Sequence, residues 1–533
     1  MIVESMLWQT NTKNAEAAAK SPPQLKPIYT CMHMSEECLA PKNFQADAAE
    51  LLHALISRPE PLKVKDRLAI PVQAMPELDA AYRARSLDEV AMGFSPEMAQ
   101  LEAMRCLQCK KPACVEGCPV HIDIPGFIDQ IANANFQGAI DKIKETSLLP
   151  AICGRVCPQE SQCQENCVTG KSLKSVDKAV GIGRLERFAA DWERKTSQVK
   201  VPEVKAATGK KVAVIGSGPA GLVVAADVRR EGHDVTLFEA FHKLGGVLRY
   251  GIPEFRLPKE IVDQEIEILS KMGVKFELNF VVGRTRKIVD MIGKDGFEAV
   301  FVGTGAGLPL FMGIEGENLV GVFAANEYLT RANLMRAYDK AHATTPIWPG
   351  KKVAVLGGGN VAMDAARMAM RMGADSVKIV YRRSEAELPA RGEEIHHAKE
   401  EGIEFCFLQN AKRILGDERG RVRALECVRF ELGEPDASGR RSPVQIQNSE
   451  FELDLDTVLV AIGNGSNPLI PQTTPDLKVN RKGNVLVEDV TNKTYMERVY
   501  AGGDIVLGAA TVILAMGEGR RAAKAINEML AKV

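Results

Sequence analysis

Two glycine-rich strand–turn–helix units and an array of eight cysteines predict an α/β fold preceded by a small α-helical domain. The units start at Lys211 and Lys352 and share the sequence Lys-Val-Ala-Val, followed by Ile-Gly or Leu-Gly. Such units open Rossmann-like dinucleotide-binding domains, in which helices cover both faces of a parallel sheet. We expect the second domain to be inserted within the first, because Asp456 to Asn464 returns the chain to the first fold.

The bulk composition is that of an ordinary globular protein and excludes several functions. The chain has 533 residues, a formal net charge of −1 and only 5% aromatic residues, which argues against nucleic-acid binding. No apolar run reaches the roughly 20 residues that span a bilayer, and the first residues lack a signal-peptide pattern. We therefore expect a cytoplasmic protein with no membrane contact, where clustered thiols indicate metal binding or catalysis.

The segment before the cysteines is the least informative. Residues 11–27 are polar and predicted to be flexible, Leu51–Ile56 is predicted as part of a short helix, and several prolines up to Pro76 indicate an extended connection. We interpret Cys31 and Cys38 as free thiols, with metal binding as the alternative. The predicted boundaries are 1–94 for this extension, 95–204 for the cysteine domain, 205–325 and 465–533 for the first dinucleotide domain, and 326–464 for the second.

The cysteine domain begins with a helix that leads into the thiols. Ser95-Pro96-Glu97 combines a hydroxyl cap, an initial proline and an acid in the first turn, which is typical of a helix start. Apolar residues at helical spacing between Ile124 and Ile143 predict helical structure between two cysteine arrays. The arrays consist of Cys106, Cys109, Cys114 and Cys118, and of Cys153, Cys157, Cys163 and Cys167.

Each array contains a Cys-Pro step, which is a ferredoxin-like way to hold iron–sulfur clusters. Cys106, Cys109 and Cys114 can bind one cluster from one loop, whereas a cysteine directly before proline, here Cys118, commonly ligates the other cluster. Structural zinc is the main alternative, and a disulfide framework is less favoured. Spacing alone makes Cys153 a candidate ligand.

The first dinucleotide domain shows a complete fingerprint. A strand enters the G-x-G-x-x-G turn, a helix follows, and a second strand ends in Glu239, which would accept hydrogen bonds from a ribose hydroxyl. The glycines allow a tight turn and a close approach of the backbone to a pyrophosphate at the helix N-terminus. The residues of the turn are Gly216, Ser217, Gly218, Pro219, Ala220 and Gly221.

Later segments indicate that this first dinucleotide is FAD. Gly245-Gly246 and Arg249 resemble the segment that lines FAD in flavoproteins with two dinucleotide domains. The same resemblance implies that Asp504, after Gly503, bonds to the ribityl chain. Thr511 opens a helix whose N-terminus would favour negative charge on the reduced flavin.

The second dinucleotide domain carries the G-x-G-x-x-A form of the turn and differs at the end of its second strand. Arg382-Arg383 stands where the first domain has Glu239, and arginine can bind a 2′-phosphate that an acid would repel. This predicts NADP(H) rather than NAD(H), with a solvated basic pair as the alternative. The predicted contacts are Gly357, Gly359, Asn360, Val361, Ala362, Asp364, Arg382 and Arg383.

The cysteine segments together resemble a known family. Cys106 to Pro119, His121 to Pro125 and Cys153 to Pro158 resemble the small subunit of bacterial NADPH-dependent glutamate synthase. The module is similar to the start of dihydropyrimidine dehydrogenase and to the larger subunit of NADH-dependent ferredoxin:NADP oxidoreductase. The resemblance covers roughly residues 90 to 533 and implies two [4Fe–4S] clusters.

The resemblance also implies which residues ligate each cluster. It makes Cys153 a non-ligand and supplies the last ligand from Glu186, for which sequence alone favours a solvated helix acid. The implied first cluster site is Cys106, Cys109, Cys114 and Cys167, and the implied second cluster site is Cys118, Cys157, Cys163 and Glu186.

These parts predict an NADPH-oxidising electron-input subunit without a classical catalytic residue. Electrons would pass from NADPH through FAD and two [4Fe–4S] clusters to a partner subunit in a hetero-oligomer, most simply the large subunit of glutamate synthase. The alternative is the FAD/NADP subunit of a ferredoxin:NADP or sulfide-linked oxidoreductase, whose partner is a ferredoxin or flavoprotein subunit. A non-enzymatic electron carrier or scaffold is less favoured, because the nucleotide motifs are intact. Cys406 and Cys427 lack the paired spacing of a redox disulfide.

Overall fold

The computed structural model describes residues 44–196, 199–339, 341–437 and 439–532. The predicted flexibility of residues 11–27 and the thiols Cys31 and Cys38 lie outside the described residues. Over the described part, the chain forms a helical domain and two parallel five-stranded sheets, as the sequence predicts. No helix in those ranges is long and apolar enough to cross a membrane.

The segment before the cysteine domain folds against its neighbours. Ala48 and Leu52 of its first helix are buried in the core of the cysteine domain. Arg83 forms ion pairs with Glu77 and Glu400, and this ties the segment to the second dinucleotide domain. The helices are Phe44–Ile56, Val64–Ala69 and Ala80–Arg83.

The cysteine domain is a bundle of short helices around an aliphatic core. Ser95 caps the first helix by accepting a hydrogen bond from the backbone N–H of Met98, as predicted. The predicted helical interval forms two helices, because the chain turns at Ala134, where φ is +57°. The helices are Pro96–Met104, Ala113–Glu116, Ile124–Ala132, Phe136–Lys144, Pro150–Val156, Val168–Ser172 and Ile182–Lys195, with 3₁₀ turns at Gln159–Ser161 and Val176–Lys178.

The first parallel sheet is assembled from both ends of the first dinucleotide domain. Its outer strand, Val499–Ala501, pairs with Ala299–Val302, so the C-terminal part returns to complete the sheet. The strands in spatial order are Val499–Ala501, Ala299–Val302, Lys211–Ile215, Asp234–Phe238 and Lys275–Glu277. The helices are Pro219–Arg230, Val247–Tyr250, Lys259–Lys271, Ile288–Gly293, Leu469–Thr473, Asp504–Leu507 and Val512–Leu530.

The second parallel sheet lies within the inserted domain. Its strand Val322–Ala324 precedes the predicted boundary at residue 326 and pairs with Thr457–Val460. Cys406 and Cys427 are buried in strands, as predicted. The parallel strands in spatial order are Val322–Ala324, Thr457–Val460, Lys352–Leu356, Ser376–Tyr381 and Glu404–Phe407. An antiparallel sheet adds Gln409–Gly416, Val422–Pro435, Arg441–Gln445 and Phe451–Asp454, and the helical elements are Ala325–Leu329, the π-turn Thr330–Leu334, Asn360–Arg371, the 3₁₀ turn Glu385–Glu387 and Gly392–Glu400.

Paired strands and buried ion pairs are among the contacts that join the dinucleotide domains. The chain crosses between them twice, and the crossings pair as the short strands Leu308–Pro309 and Asn464–Gly465. Arg256 of the first domain places Nη1 2.7 Å from both carboxylate oxygens of Asp364, and its Nε lies 3.1 Å from Glu394. These charges are buried, so each needs its partner in place.

Candidate functional site

The structure brings the four thiols of the first cluster site together. Burial raises the pKa of Cys106 to about 11 and that of Cys114 to about 12, and the charge of nearby Cys167 raises both further. The pKa of Cys109 is also raised, first by burial and then by Cys167. Cys106, Cys109 and Cys114 are half-buried while Cys167 is buried, so this site lies near the surface.

The second cluster site surrounds a small cavity. Cys118, Cys157, Cys163 and Glu186 line it together with apolar side chains such as Ile122. Burial raises the pKa of Cys118 to about 11, and the charges of Glu186 and Cys157 raise it further. A carboxylate and three thiols that face one cavity form a donor set suited to iron.

Glu186 is the most telling member of this site. It lies on the helix Ile182–Lys195, is buried, and its Oε1 has no hydrogen-bond partner. Burial raises its pKa to about 8. A buried carboxylate without a partner is costly unless another group binds it, and an iron ion would do so. The burial disfavours the solvated helix acid that sequence alone suggests.

The spread of the thiols fits a cluster better than zinc. Across the described ranges, no three cysteine, histidine or acid ligand atoms from these two sites lie within 4.8 Å of one another. Thiolates around a single zinc ion, with Zn–S bonds of about 2.3 Å, would be about 3.8 Å apart. An iron–sulfur cluster is larger than a zinc ion and is ligated at its corners, so it requires larger distances between the thiol sulfur atoms.

Cys153 is placed differently from the other seven thiols. It is fully buried in the helix Pro150–Val156, and its Sγ lies 3.5 Å from Sδ of Met516. Its pKa is raised well above the usual value, first by its hydrogen bond with Cys157 and then by burial. It does not line the cavity of the second cluster site. Its position therefore agrees with the non-ligand role that the resemblance implies.

The first glycine-rich turn has the open space that a pyrophosphate needs. A Cβ on Gly218 would meet no atom within 4 Å, so the backbone there is accessible. Gly216 has φ of +97°, and a Cβ on Gly221 would lie 1.9 Å from the carbonyl oxygen of Gly216. Pro219 and Ala220 begin the helix Pro219–Arg230 directly after this turn. The turn therefore leaves room for a pyrophosphate such as that of FAD, and the individual contacts stay predictions.

Glu239 lies beside the turn, at the end of the second strand. It is buried, and Oε2 accepts a hydrogen bond of 3.0 Å from the backbone N–H of Ser217. Oε1 accepts a second one of 2.9 Å from the N–H of Phe241. These bonds fix the carboxylate next to the turn, where a ribose would lie.

The remaining flavin residues approach the same turn. Gly246 has φ of +53°, and a Cβ there would lie 2.9 Å from Cα of Gly218. Arg249 donates to the carbonyl oxygen of Leu244 and forms an ion pair with Asp263. Its guanidinium is thus used to hold the segment, and its predicted FAD contact stays a prediction.

Asp504 and Thr511 stand at the start of the C-terminal helices. Gly503 has φ of +79°, and a Cβ there would meet Ala220 at 3.0 Å, so this segment lies against the first turn. Burial raises the pKa of Asp504 to about 6. Thr511 caps the helix Val512–Leu530 by accepting from the N–H of Leu514.

The second glycine-rich turn repeats this construction. Gly357 has φ of +139°, and a Cβ on Gly359 would meet nothing within 4 Å. Asn360, Val361 and Ala362 begin the helix Asn360–Arg371, whose N-terminus faces the open side of the turn. This space fits a second pyrophosphate, that of NADPH.

The two arginines that follow the strand Ser376–Tyr381 of the second dinucleotide domain have different roles. Arg382 is exposed, and within the described ranges it has no ion pair, so it is available for a 2′-phosphate. Arg383 is buried, its Nη2 bonds to Asp436 at 2.6 Å and its Nε donates to the carbonyl oxygen of Arg441. The phosphate contact predicted for both arginines is therefore better served by Arg382.

Asp364 does not face open space. It is 4% exposed, and both of its oxygens bind Arg256. The structure thus gives this predicted cofactor contact a different role, the joining of the two dinucleotide domains. Arg391 joins the second dinucleotide domain to the cysteine domain, because it contacts Glu160 and Gln159.

One helix connects the flavin residues to the second cluster site. Ile513, in the first turn of Val512–Leu530, lines the cavity of that site. A Cβ on Gly517 would lie 3.0 Å from the carbonyl oxygen of Pro119, next to Cys118. Nε2 of Gln162 donates to Oγ1 of Thr511 at 3.4 Å. Sequence reasoning missed these contacts, since nothing local to residues 511–517 indicates a neighbour in the cysteine domain.

Two family models match the chain. The model described as dihydropyrimidine dehydrogenase domain II, 4Fe-4S cluster, matches residues 83–198. The model described as pyridine nucleotide-disulphide oxidoreductase matches residues 210–527. The site residues and these matches define an oxidoreductase that uses NADPH, FAD and iron–sulfur clusters.

Individual relatives identify the family more specifically than the two models do. The glutamate synthase [NADPH] small chain of Azospirillum brasilense is 38% identical over 466 residues, which cover 85% of this chain and 94% of that one. The NADP(+)-dependent formate dehydrogenase subunit beta of Moorella thermoacetica is 40% identical over 440 residues, 78% of this chain but 60% of that longer one. The chain therefore belongs to the family of the glutamate synthase small chain.

A solved structure agrees on the fold. Mycobacterium tuberculosis FprA in complex with NADPH superposes with a TM-score of 0.51 and 19% identity, covering 61% of this chain and 85% of that one. At this level of identity, the likeness concerns the two dinucleotide domains as a fold and nothing further.

Proposed function

We propose that this protein is the NADPH-oxidising electron-input subunit of a glutamate synthase-type complex. The observation that carries the proposal is the helix Val512–Leu530, which starts beside the flavin residues and packs against the loop of Cys118. The first dinucleotide domain would hold FAD, which would supply hydride acceptance from NADPH, and the thiols and Glu186 would hold clusters that supply one-electron transfer. The cytoplasm is the proposed location, in keeping with thiols that must stay reduced.

The residues support an order for the relay. The second cluster site shares Ile513 with the flavin helix, so it is the nearer one. The first cluster site has half-buried thiols and lies towards the surface. The two sites are adjacent, because the charges of Cys118 and Cys114 both act on the pKa of Cys163. The proposed exit is therefore the first cluster site, where a partner subunit of a hetero-oligomer would receive electrons.

The chain's own residues bind and orient rather than exchange protons. Gly218 and Gly359 leave room for the two pyrophosphates, and Arg382 offers a positive charge to a 2′-phosphate. The contacts of Arg256 with Asp364 and Glu394 hold the two domains against each other. Positioning of this kind is what hydride transfer between two bound cofactors requires.

Two measurements test the proposal. In the first, NADPH should bleach the clusters of the purified protein, whereas Cys118→Ala should lose this bleaching but still reduce ferricyanide directly from the flavin. In the second, the partner purified with the native protein should support oxidation of NADPH only when glutamine and 2-oxoglutarate are both present. If neither glutamine nor 2-oxoglutarate affects the rate of NADPH oxidation, and ferredoxin is rapidly reduced, the ferredoxin:NADP alternative is favoured instead.

A further inference from the structure

The surface around the first cluster site carries an excess of positive charge. Lys110 and Lys111 directly follow Cys109, and both are exposed. Exposed lysines also follow Cys167 on the short helix Val168–Ser172 and the turn after it. We call these residues the lysine face: Lys110, Lys111, Lys171, Lys174 and Lys178.

Contacts within the cysteine domain bring these two stretches together. The hydroxyl of Thr169 donates to the carbonyl oxygen of Arg105 at 3.3 Å. Nη1 and Nη2 of Arg105 donate to the carbonyl oxygens of Ala179 and Lys178. The loop of Cys106 and Cys109 therefore lies against the segment from Cys167 to Lys178.

The lysines are not neutralised within the chain. In the part of the chain that the structure describes, no ion pair involves any residue of the lysine face, and Lys171 contacts only the amide oxygen of Asn166, at 3.4 Å. Within residues 106–118 and 163–178, the acids are Glu116, Glu165 and Asp177, against the five lysines. Since the whole chain has a net charge of −1, this excess is a local feature.

Two apolar residues lie among these charges. Val168, directly after Cys167, is 37% exposed, and Val176, between Lys174 and Lys178, is 40% exposed. A small apolar centre within a polar rim is the usual composition of an interface between proteins.

We propose that the lysine face is the docking surface for an electron-accepting protein whose own redox centre is surrounded by carboxylates. This inference rests on the proposed function, because it takes the first cluster site as the exit. Complementary charge would steer the acceptor towards the half-buried thiols and speed association by roughly 10- to 1,000-fold over an uncharged encounter.

The test compares the binding of two protein probes of opposite charge, an acidic ferredoxin and basic cytochrome c. The full chain with its clusters is titrated with an acidic plant-type ferredoxin in which gallium replaces iron, so that binding is measured without electron transfer. We expect Lys110→Glu with Lys111→Glu to weaken this binding about tenfold or more at low salt. The difference should shrink at about 0.5 M salt, where charges are screened within a few ångströms. Basic cytochrome c should instead bind more tightly to the variant.

The matched control is Arg481→Glu with Lys482→Glu. This adjacent basic pair is exposed in a turn of the first dinucleotide domain and changes the charge by the same amount. We expect this control variant to change the affinity for the gallium-substituted ferredoxin less than twofold. Equal weakening in both variants, or tighter binding of cytochrome c than of ferredoxin to the unchanged protein, would overturn the inference. Bleaching of the clusters by NADPH is recorded in parallel. If NADPH does not bleach the clusters of the unchanged protein, the proposed function is refuted, and the binding result can still be interpreted.

Discussion

Replacing Glu186 by glutamine should keep a cluster in the second cluster site but raise its midpoint potential, whereas alanine should remove that cluster. Glutamine retains an oxygen donor at the same place and removes one negative charge. Alanine leaves the cavity with three thiols and no fourth ligand. The first cluster site should be unaffected by either change, because its four thiols do not include this residue.

The size of the effect follows from the burial of Glu186. Its pKa of about 8 means that keeping the carboxylate charged in the folded, cluster-free site costs about 5 kcal/mol more than in water. Ligation of iron must offset this cost. A unit charge removed from a ligand changes the electrostatic energy by about 2–4 kcal/mol at an effective dielectric constant of about 20. For a one-electron couple, this corresponds to a rise on the order of 100 mV.

The assay is a redox titration monitored by electron paramagnetic resonance, with iron analysis of the same anaerobic samples. Glu165→Gln is the matched control, since Glu165 lies two residues after Cys163 but is exposed. Solvent should screen its charge, so we expect a much smaller shift than for Glu186→Gln. Equal shifts in the two variants, or undiminished iron in Glu186→Ala, would refute the role of Glu186 as a ligand.

Three further changes test other parts of the structure. Arg382→Ala should raise the KM for NADPH about 10- to 100-fold and leave the KM for NADH nearly unchanged in steady-state kinetics. Arg383→Ala is the control and should change the two KM values equally, because the Arg383 side chain is already bound to Asp436. Cys153→Ala should retain the iron of both clusters; loss of one cluster would make Cys153 a ligand. Burial raises the pKa of Glu265 to about 7, so the folded protein keeps a proton that the unfolded chain releases between about pH 4.5 and 7. Stability therefore falls as pH rises through this window, and Glu265→Gln should gain up to about 3 kcal/mol over the unchanged protein at pH 8 in denaturant titrations, but almost nothing at pH 4.5.

Much of the fold could be predicted because its signals are local. The turn Gly216–Gly221 and its counterpart Gly357–Ala362 each lie within a strand–turn–helix unit, so residue type and spacing indicate the backbone directly. The start of the helix at Pro96 is likewise encoded by its own cap. The position of the turn at Ala134 within the helical interval could not be predicted, since a positive φ at alanine has no local sequence signal.

The use of particular charged side chains could not be predicted in the same way. Asp364 binds Arg256, which is 108 residues away, and Arg383 binds Asp436, which is 53 residues away. Such partners are set by how domains and hairpins pack, and no spacing rule reports this. The burial of Glu186 is a further case, because a helix acid looks the same in sequence whether it faces water or a cavity.

The glycine contact of the C-terminal helix has a consequence for how the protein can move. Because Gly517 has no side chain, the helix Val512–Leu530 packs directly against the backbone of Pro119, and this contact sets the distance between the flavin residues and the second cluster site. Electron tunnelling slows steeply with distance, so this spacing is the one that must not vary. Hinge motion at the strand pair Leu308–Pro309 and Asn464–Gly465 would spare this spacing but would break the contacts of Arg391 with Glu160 and Gln159. Movement of the nucleotide-binding domain would therefore be felt at Gln159, which lines the second cluster site, while the distance from the flavin residues to that site stays set by the C-terminal helix.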